Sequence, residues 1–505
     1  MEAPLKDAFE TAVILEALGY SDHDAQGFGY SDLFGFAEAI KRVAGPYAGQ
    51  LPSDPAVARQ RISRLSGFFG NLGWMLVLIA LFVGGHSLWA ARDVSAEAGA
   101  AMGLGVVLGL AVGGGIQQVA SWKISYYYLQ GNLPLVRFVM RRLVVVGIGL
   151  LIATATAAFL IAADGFPASV AALSAAYALL VGGYRLAIAP LIGLNRMKSV
   201  FTVTALGLAG MFAAYTLLSD LGVERLMAVL LSQLVGVTLI SVLSGVTLGV
   251  LVGGLRLRPA PPVDAFHIQT QVLRRVQPPR FWALLFDSLP QFLFGTWFFL
   301  FLFGDRLVLW ISAVARTSGY NAGYQIGVDS ALLMIVPISA IHVPLFMRLS
   351  ERLDDLALRT RCYDRQGFAR SIGQAYSALV MRVSIPAAAI CAIALLLADQ
   401  IIDAVGGDGT SVRVFRTAII GMFMFSLFLS NAALLAIFRR TALTGALLLV
   451  AAIMNIVLTS VFASLIAPAA AVLGFLLSSL FLAVASLISI ARMSRRADHA
   501  YYAAV

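Results

Sequence analysis

Six polar side chains interrupt long apolar stretches of this sequence, and they are where chemistry could occur: Arg185, Asp287, Gln291, Asp305, Arg306 and Asp329. A charge in hydrocarbon is costly, about 2.5–3.5 kcal/mol on insertion scales. Such residues therefore mark substrate paths, proton or ion relays, or buried pairs. Arg185 falls about 9 Å, at ~1.5 Å per residue, from one end of its apolar run. From there it could snorkel to the interface or face a cavity. Asp287 and Gln291 stand one helical turn apart and share a face. Pro290 between them removes a backbone donor, so a buried hinge and an ion or substrate site are both open readings. Asp305 and Arg306 are adjacent and point ~100° apart, so they need not pair with each other. Asp329 opens the next apolar run. His86 and His342 near run ends read as structural, and Tyr126-Tyr127-Tyr128 beside Trp122 and Lys123 reads as an interfacial aromatic belt.

None of these residues forms a catalytic constellation. The sequence has no HExxH, no GxSxG, no GxxxxGK[ST] and no Cys-x-x-Cys. The expectation is a non-enzyme with no catalytic residues, no metal site and no cofactor. It is also not a self-contained ATP-driven pump. Cys362 and Cys391, the two cysteines, fall in a loop and in a helix, so neither a disulfide nor a metal site is expected. Gly113-Gly114-Gly115 lies deep in an apolar run, where small residues allow close helix packing rather than phosphate binding.

The elements that must position these groups are membrane spans. Of 505 residues, 60% are hydrophobic and 12% charged, with a mean hydropathy of +0.88. Soluble chains run near 25% charged. Ordinary cytosolic enzymes, disordered chains and disulfide scaffolds are excluded. A span needs ~20 mostly apolar residues, and twelve segments qualify. They run over Phe68–Ala91, Ala98–Ala120, Leu143–Ala163, Ala168–Leu191, Val200–Leu218 and Leu226–Gly253. After a loop come Trp282–Ala313, Ile326–Phe346, Val383–Ala404, Thr417–Phe438, Leu443–Leu465 and Ala471–Ile490. Continuous runs rule out a barrel, which would alternate. The expected fold is all-α, a polytopic membrane protein of 12 transmembrane helices in two six-helix bundles.

Charge sets the expected orientation. The net charge is +10. Lys and Arg crowd alternate loops, from Arg59, Arg61 and Arg64 through Arg141 and Arg142 to Arg348–Arg382, Arg439, Arg440 and Arg495. The opposite loops carry Arg92, Arg225, Arg316, Arg413 and Arg416. The positive-inside rule then makes both termini cytoplasmic. This bias, rather than nucleic-acid binding, accounts for the basic pI, and no nucleic-acid partner is expected. The first 60 residues show no signal-peptide core.

Prolines and charge between Gly254 and Phe281 mark a linker that divides the spans six and six, the layout of transporters built from two bundles around a central site. The expected domains are a cytoplasmic helical segment over 1–60, a first bundle over 61–253, a linker over 254–280, a second bundle over 281–492 and a cytoplasmic tail over 493–505. Within 1–60, Gly19-Tyr20-Ser21-Asp22 recurs as Gly29-Tyr30-Ser31-Asp32. Glycine closes one helix and Ser or Asp caps the next, with Ser31 predicted to open an amphipathic helix. This segment is either a cap on the membrane body or a docking element for a cytoplasmic partner.

One stretch carries a resemblance. Phe303-Gly304-Asp305-Arg306-Leu307-Val308-Leu309-Trp310 is followed by Ser318-Gly319-Tyr320-Asn321-Ala322-Gly323-Tyr324. An exit follows at Val343-Pro344-Leu345-Phe346-Met347-Arg348-Leu349-Ser350-Glu351, leading into a basic helix over Arg352–Arg370. This order resembles polysaccharide and lipid II flippases of the multidrug/oligosaccharidyl-lipid/polysaccharide (MOP) exporter superfamily, and the Pel-type polysaccharide transporters within it. Met347 replaces the family proline, the first half lacks a copy of either motif, and residues 1–60 are an extra element. The major facilitator superfamily fits less well, because its Gly-x-x-x-Asp-Arg loop is absent between the second and third spans.

The resemblance implies a transporter in the bacterial inner membrane. It would export or flip a polysaccharide or a polyprenyl-linked glycan by alternating access. Its partners would be membrane lipid, that glycan, and a glycosyltransferase or regulator meeting residues 1–60. Two other readings stand beside it: a non-transporting scaffold of a polysaccharide synthase complex, and a multidrug exporter of the same superfamily. A scaffold would fill its centre with apolar packing, whereas a carrier keeps a polar cleft. The first six segments contain no Asp or Glu, which argues against proton or sodium coupling there.

Overall fold

The computed structural model describes residues 12, 15, 20–44, 95–129, 133–256, 281–315, 321–339, 341–342, 345, 348–349, 365–438 and 440–494. Among them the secondary structure is helical, with no strand. The chain divides into two compact units, Met1–Ile62 and Ser63–Val505.

In the first unit, α1 (Asp22–Gly27) precedes α2 (Leu33–Ala44), and Leu33 and Ala37 of α2 cluster with Ala12 and Leu15. Ser21 caps α1 reciprocally with Asp24, and Gly29 turns the chain at φ +87°. Asp32, not Ser31, caps α2: its carboxylate accepts from the Gly35 amide at 2.7 Å. The Ser31 hydroxyl donates to Asp32 instead. The preferred partner of an unsatisfied helix amide is the stronger, charged acceptor.

The second unit contains α3 (Ala96–Leu129), α4 (Leu133–Ala163), α5 (Ala168–Gly193), α6 (Met197–Asp220), α7 (Arg225–Arg256), α8 (Phe281–Ala315), α9 (Ala322–Leu332), α10 (Arg365–Leu396), α11 (Ala398–Ala404), α12 (Gly409–Ile437), α13 (Thr441–Leu465) and α14 (Val472–Ser494). A 3-10 turn, Pro468–Ala471, precedes α14. Among the described residues ten helices are long and apolar enough to cross a membrane, and Gly323–Ser339 is a shorter apolar one. The chain is a multi-pass membrane protein. The expected span at Phe68–Ala91 lies outside the described residues, as do the exit motif apart from Leu345, Arg348 and Leu349, the basic stretch before Arg365, and residues 257–280 and 495–505.

Several boundaries differ from the hydropathy reading. The second described span begins at Leu133 rather than near Leu143. Its first turns carry Arg137, Arg141 and Arg142, and the Arg142 guanidinium lies 5.5 Å over the Phe138 ring. Such a turn is helical without being apolar. The segment expected over Val383–Ala404 is α10, which starts at Arg365, and then α11 after a break at Leu397. The expected Ile326–Phe346 span breaks after α9 at Leu333–Met334 and resumes to Ser339. Helix also continues into the expected linker as far as Arg256, and into the expected tail as far as Ser494.

One of several apolar clusters is built on aromatic rings. Phe301, Phe425, Phe428 and Phe475 pack ring to ring at 5.2–5.8 Å between α8, α12 and α14. Without a hydrophobic driving force in lipid, association relies on such packing and on buried polar bonds. Asn455 of α13 supplies one, donating to the Phe301 carbonyl at 2.9 Å. Asn431 of α12 supplies another, donating to Ser486 at 2.8 Å and accepting from Tyr376 at 2.5 Å.

Candidate functional site

Helices α3 and α8 form the seam where the first-half and second-half helices meet, and glycines set its closeness. A Cβ on Gly103 would lie 2.7 Å from the Trp310 ring, and one on Gly114 would lie 3.0 Å from the Gly295 carbonyl. One on Gly115 would lie 2.7 Å from Phe292. Of the three glycines read as packing residues, Gly114 and Gly115 pack on α8, and Gly113 packs on α5, where a Cβ would lie 2.8 Å from the Arg185 Cβ. At the far end of the seam, Lys123 of α3 pairs with Asp287 of α8. The lysine is buried, whereas the aspartate is 70% exposed. Lys123, read in sequence as part of an aromatic belt, is thus an ion-pair partner across the seam.

On the first-half side of that seam lies a cleft with about 980 Å³ of empty space, its mouth included. Helices α3, α5, α6, α7, α8 and α9 line it. Most of the wall is aliphatic or aromatic. Tyr177, Tyr184 and Gln233 are polar, and Arg185 is the one charged residue among the described lining residues. Arg185 is 5% exposed. Its guanidinium donates to Gln117 at 2.6 Å and lies 4.6 Å over the Phe299 ring. Between snorkelling and facing a cavity, the structure places Arg185 in the cavity wall. The aromatic face and the carboxamide offset part of its desolvation. Gln117 and Phe299 were not singled out from sequence, because no spacing rule links three different helices.

Asp305, Arg306 and Asp329 lie elsewhere, packed between α8 and α9. Arg306 is fully buried, donates to Asp329 at 2.7 Å, and lies 4.8 Å over Phe303. Asp305, also fully buried, accepts from the Tyr324 hydroxyl at 2.5 Å, and its other carboxylate oxygen has no hydrogen-bond partner. The adjacent pair therefore takes two separate partners. None of the three lines the cleft, although Leu302 and Phe303 beside them do. Tyr324 was visible only as part of the Gly-x-Tyr stretch. Gln291 sits near Asp287: with its amide nitrogen turned inward, it donates to the carbonyls of Asp287 at 2.9 Å and Ser288 at 3.1 Å, next to Pro290. The helix runs through Pro290 without a break. Among the described residues no group of His, Cys, Asp and Glu could hold a metal.

No family model and no curated protein sequence matches the chain. Its fold matches solved structures. An inward-facing multidrug resistance MATE family transporter of the MOP superfamily aligns with TM-score 0.58 at 14% identity, covering 87% of this chain and 96% of that one. A MOP superfamily transporter from Pyrococcus furiosus, described as having a binding pocket of reverse polarity, aligns at 0.57 with 15% identity over 87% and 95%. The MATE transporter ClbM in complex with Rb+ aligns at 0.53 with 14% identity over 88% and 96%. The chain has the MATE-like fold of MOP superfamily transporters.

Proposed function

We propose that the chain is an alternating-access transporter of the inner membrane that exports or flips an anionic, lipid-linked glycan. The observation that carries this reading is Arg185, the one charged residue among the described residues of a mostly apolar cleft wall. A polyprenyl-linked glycan joins a long apolar chain to a phosphate or pyrophosphate. The wall suits the first and the guanidinium suits the second. At an effective dielectric of ~20, a charge pair about 4 Å apart is worth roughly 4 kcal/mol. The glycan itself trails into water. The sequence resemblance to polysaccharide flippases points the same way, and the fold supplies two helix sets able to rock about a shared seam.

The names of the structural relatives favour a second reading, a multidrug exporter. A cationic cargo would meet Arg185, the one charged residue among the described lining residues. The scaffold reading expects a centre filled by apolar packing; the wall here is mostly apolar, but it surrounds open space and carries Arg185, Gln233 and two tyrosines. Proteoliposomes distinguish the three. Flipping of a fluorescent polyprenyl-pyrophosphate oligosaccharide, with no uptake of ethidium, is the expected result. Ethidium uptake without flipping would establish the drug exporter, and neither activity would establish the scaffold.

A further inference from the structure

We propose a second binding site, for neutral sugar rings of the glycan, in the pocket on the other side of the α3–α8 seam. It deepens the transport reading above and rests on it for the identity of the cargo. The pocket holds about 600 Å³ of empty space, its opening included, within the range of small-molecule sites. Four helices build it: α3, α8, the end of α12 and the start of α13.

Its chemistry differs from that of the Arg185 cleft. The polar lining is two carboxamides, Gln118 and Gln291, three hydroxyls, Ser121, Thr441 and Thr444, and the indole of Trp122. No described lining residue is ionised. Sugars are recognised by this combination: an aromatic face against the apolar C–H side of a ring, and uncharged donors and acceptors around its hydroxyls. A phosphate would require a cation, and a drug cation would require a carboxylate. The nearest charge on the seam, Lys123, is taken by Asp287.

The groups are also available. Thr444 returns its hydroxyl to the Arg440 carbonyl, and Gln291 can satisfy its amide nitrogen on its own helix. The side chains of Gln118, Ser121, Trp122 and Thr441 make no hydrogen bond to other described residues, and none of them is fully buried. Gln117 and Gln118 are consecutive on α3, so their side chains diverge by ~100°. Gln117 turns to Arg185 in the cleft, and Gln118 turns to the pocket. The two sites therefore flank one seam, and movement of α3 against α8 alters both. The pocket also lies where α12 ends and α13 begins, beside Arg440. That is the end of the bundle expected to face the cytoplasm, where a glycan is assembled.

The test uses the full chain in nanodiscs. Saturation-transfer NMR is recorded with tetrasaccharides of glucose, galactose, mannose, N-acetylglucosamine and N-acetylgalactosamine. At least one should bind. Trp122→Ala and Gln118→Ala should each weaken it by about tenfold or more, whereas Arg185→Ala should leave it within about threefold. Should Trp122→Ala fail to fold, Trp122→Phe should retain binding, and Ser121→Ala with Thr441→Val should lower it. The proposal is overturned if no tetrasaccharide binds, or if binding is indifferent to Trp122, Gln118, Ser121 and Thr441. Flipping of the lipid-linked oligosaccharide, measured on the same preparations, separates the two claims. Sugar binding without flipping sinks the transport reading and keeps the site. Arg185-dependent flipping without sugar binding does the reverse.

Discussion

Arg306 and Asp329 illustrate how much a single buried pair matters and how little it adds. Both are nearly or fully buried and bonded at 2.7 Å. Removing one partner leaves the other charged and unpaired, a loss of about 3–5 kcal/mol, whereas replacing both with apolar residues of similar volume is often near neutral. Asp329→Asn and Arg306→Met should each lower the unfolding temperature in detergent sharply. Arg306→Met combined with Asp329→Leu should recover most of it. If the double variant is as unstable as the two singles together, the residues are not coupled and the pairing account fails. The Tyr324 hydroxyl on Asp305 is a different case, a bond to a buried carboxylate whose second oxygen has no partner. Tyr324→Phe removes that bond, and about 1–3 kcal/mol of stability should go with it.

At the scale of elements, the α3–α8 seam tolerates no side chain at its glycines. Gly114 faces both the Phe299 ring and the Gly295 carbonyl, and a backbone carbonyl cannot swing aside. Gly114→Val should destabilise by about 1–3 kcal/mol or more and stop transport. Gly149→Val, on a surface with open space, should do neither, as chemical unfolding and proteoliposome assays would show. Wild-type behaviour of Gly114→Val would mean the seam is looser than described. Helix α12 offers a separate test. Asp408 caps it, and the Ser411 backbone amide, 2.8 Å away, holds the carboxyl below its ordinary value, helped by the Ser411 hydroxyl. A carboxylate depressed in the folded state adds stability above its unfolded value and loses it as pH falls through the lower, folded one. Asp408→Ala should therefore cost about 1 kcal/mol near neutrality. That difference from wild type should shrink as a thermal-unfolding series is taken below the ordinary carboxylate range.

For the molecule as a whole, the alternation of basic loops predicts that a cysteine at His267 labels only from the cytoplasm and one at Ser95 only from outside. The reverse at either site would contradict the topology. The helical class and ten of the twelve expected spans were legible from sequence, because hydropathy alone fixes which stretches can enter lipid. Where helices begin was less so: Leu133 and Arg365 start long helices whose first turns are polar, and a polar turn can be helical without being a span. The candidate site was legible as a set of residues but not as an arrangement. Arg185, Asp287, Asp305, Arg306 and Asp329 stood out because charges in apolar runs are costly. Their partners, Gln117, Phe299, Lys123 and Tyr324, are ordinary in sequence, and three of them lie on helices that only tertiary packing brings near. Gln118 was hidden for the same reason, and Trp122 was legible only as part of an aromatic belt.

The central claim is that Arg185 holds the anionic group of a lipid-linked glycan inside the cleft. The most direct measurement is flipping of a polyprenyl-pyrophosphate oligosaccharide by purified protein in proteoliposomes, for wild type, Arg185→Lys, Arg185→Ala and Arg185→Glu at matched insertion. The expected order is wild type fastest, lysine reduced, and alanine at least about tenfold slower, the loss of roughly 1.4 kcal/mol or more. Glutamate should be inactive toward the anion. Equal flipping by wild type and Arg185→Ala, with both well folded, would contradict the account.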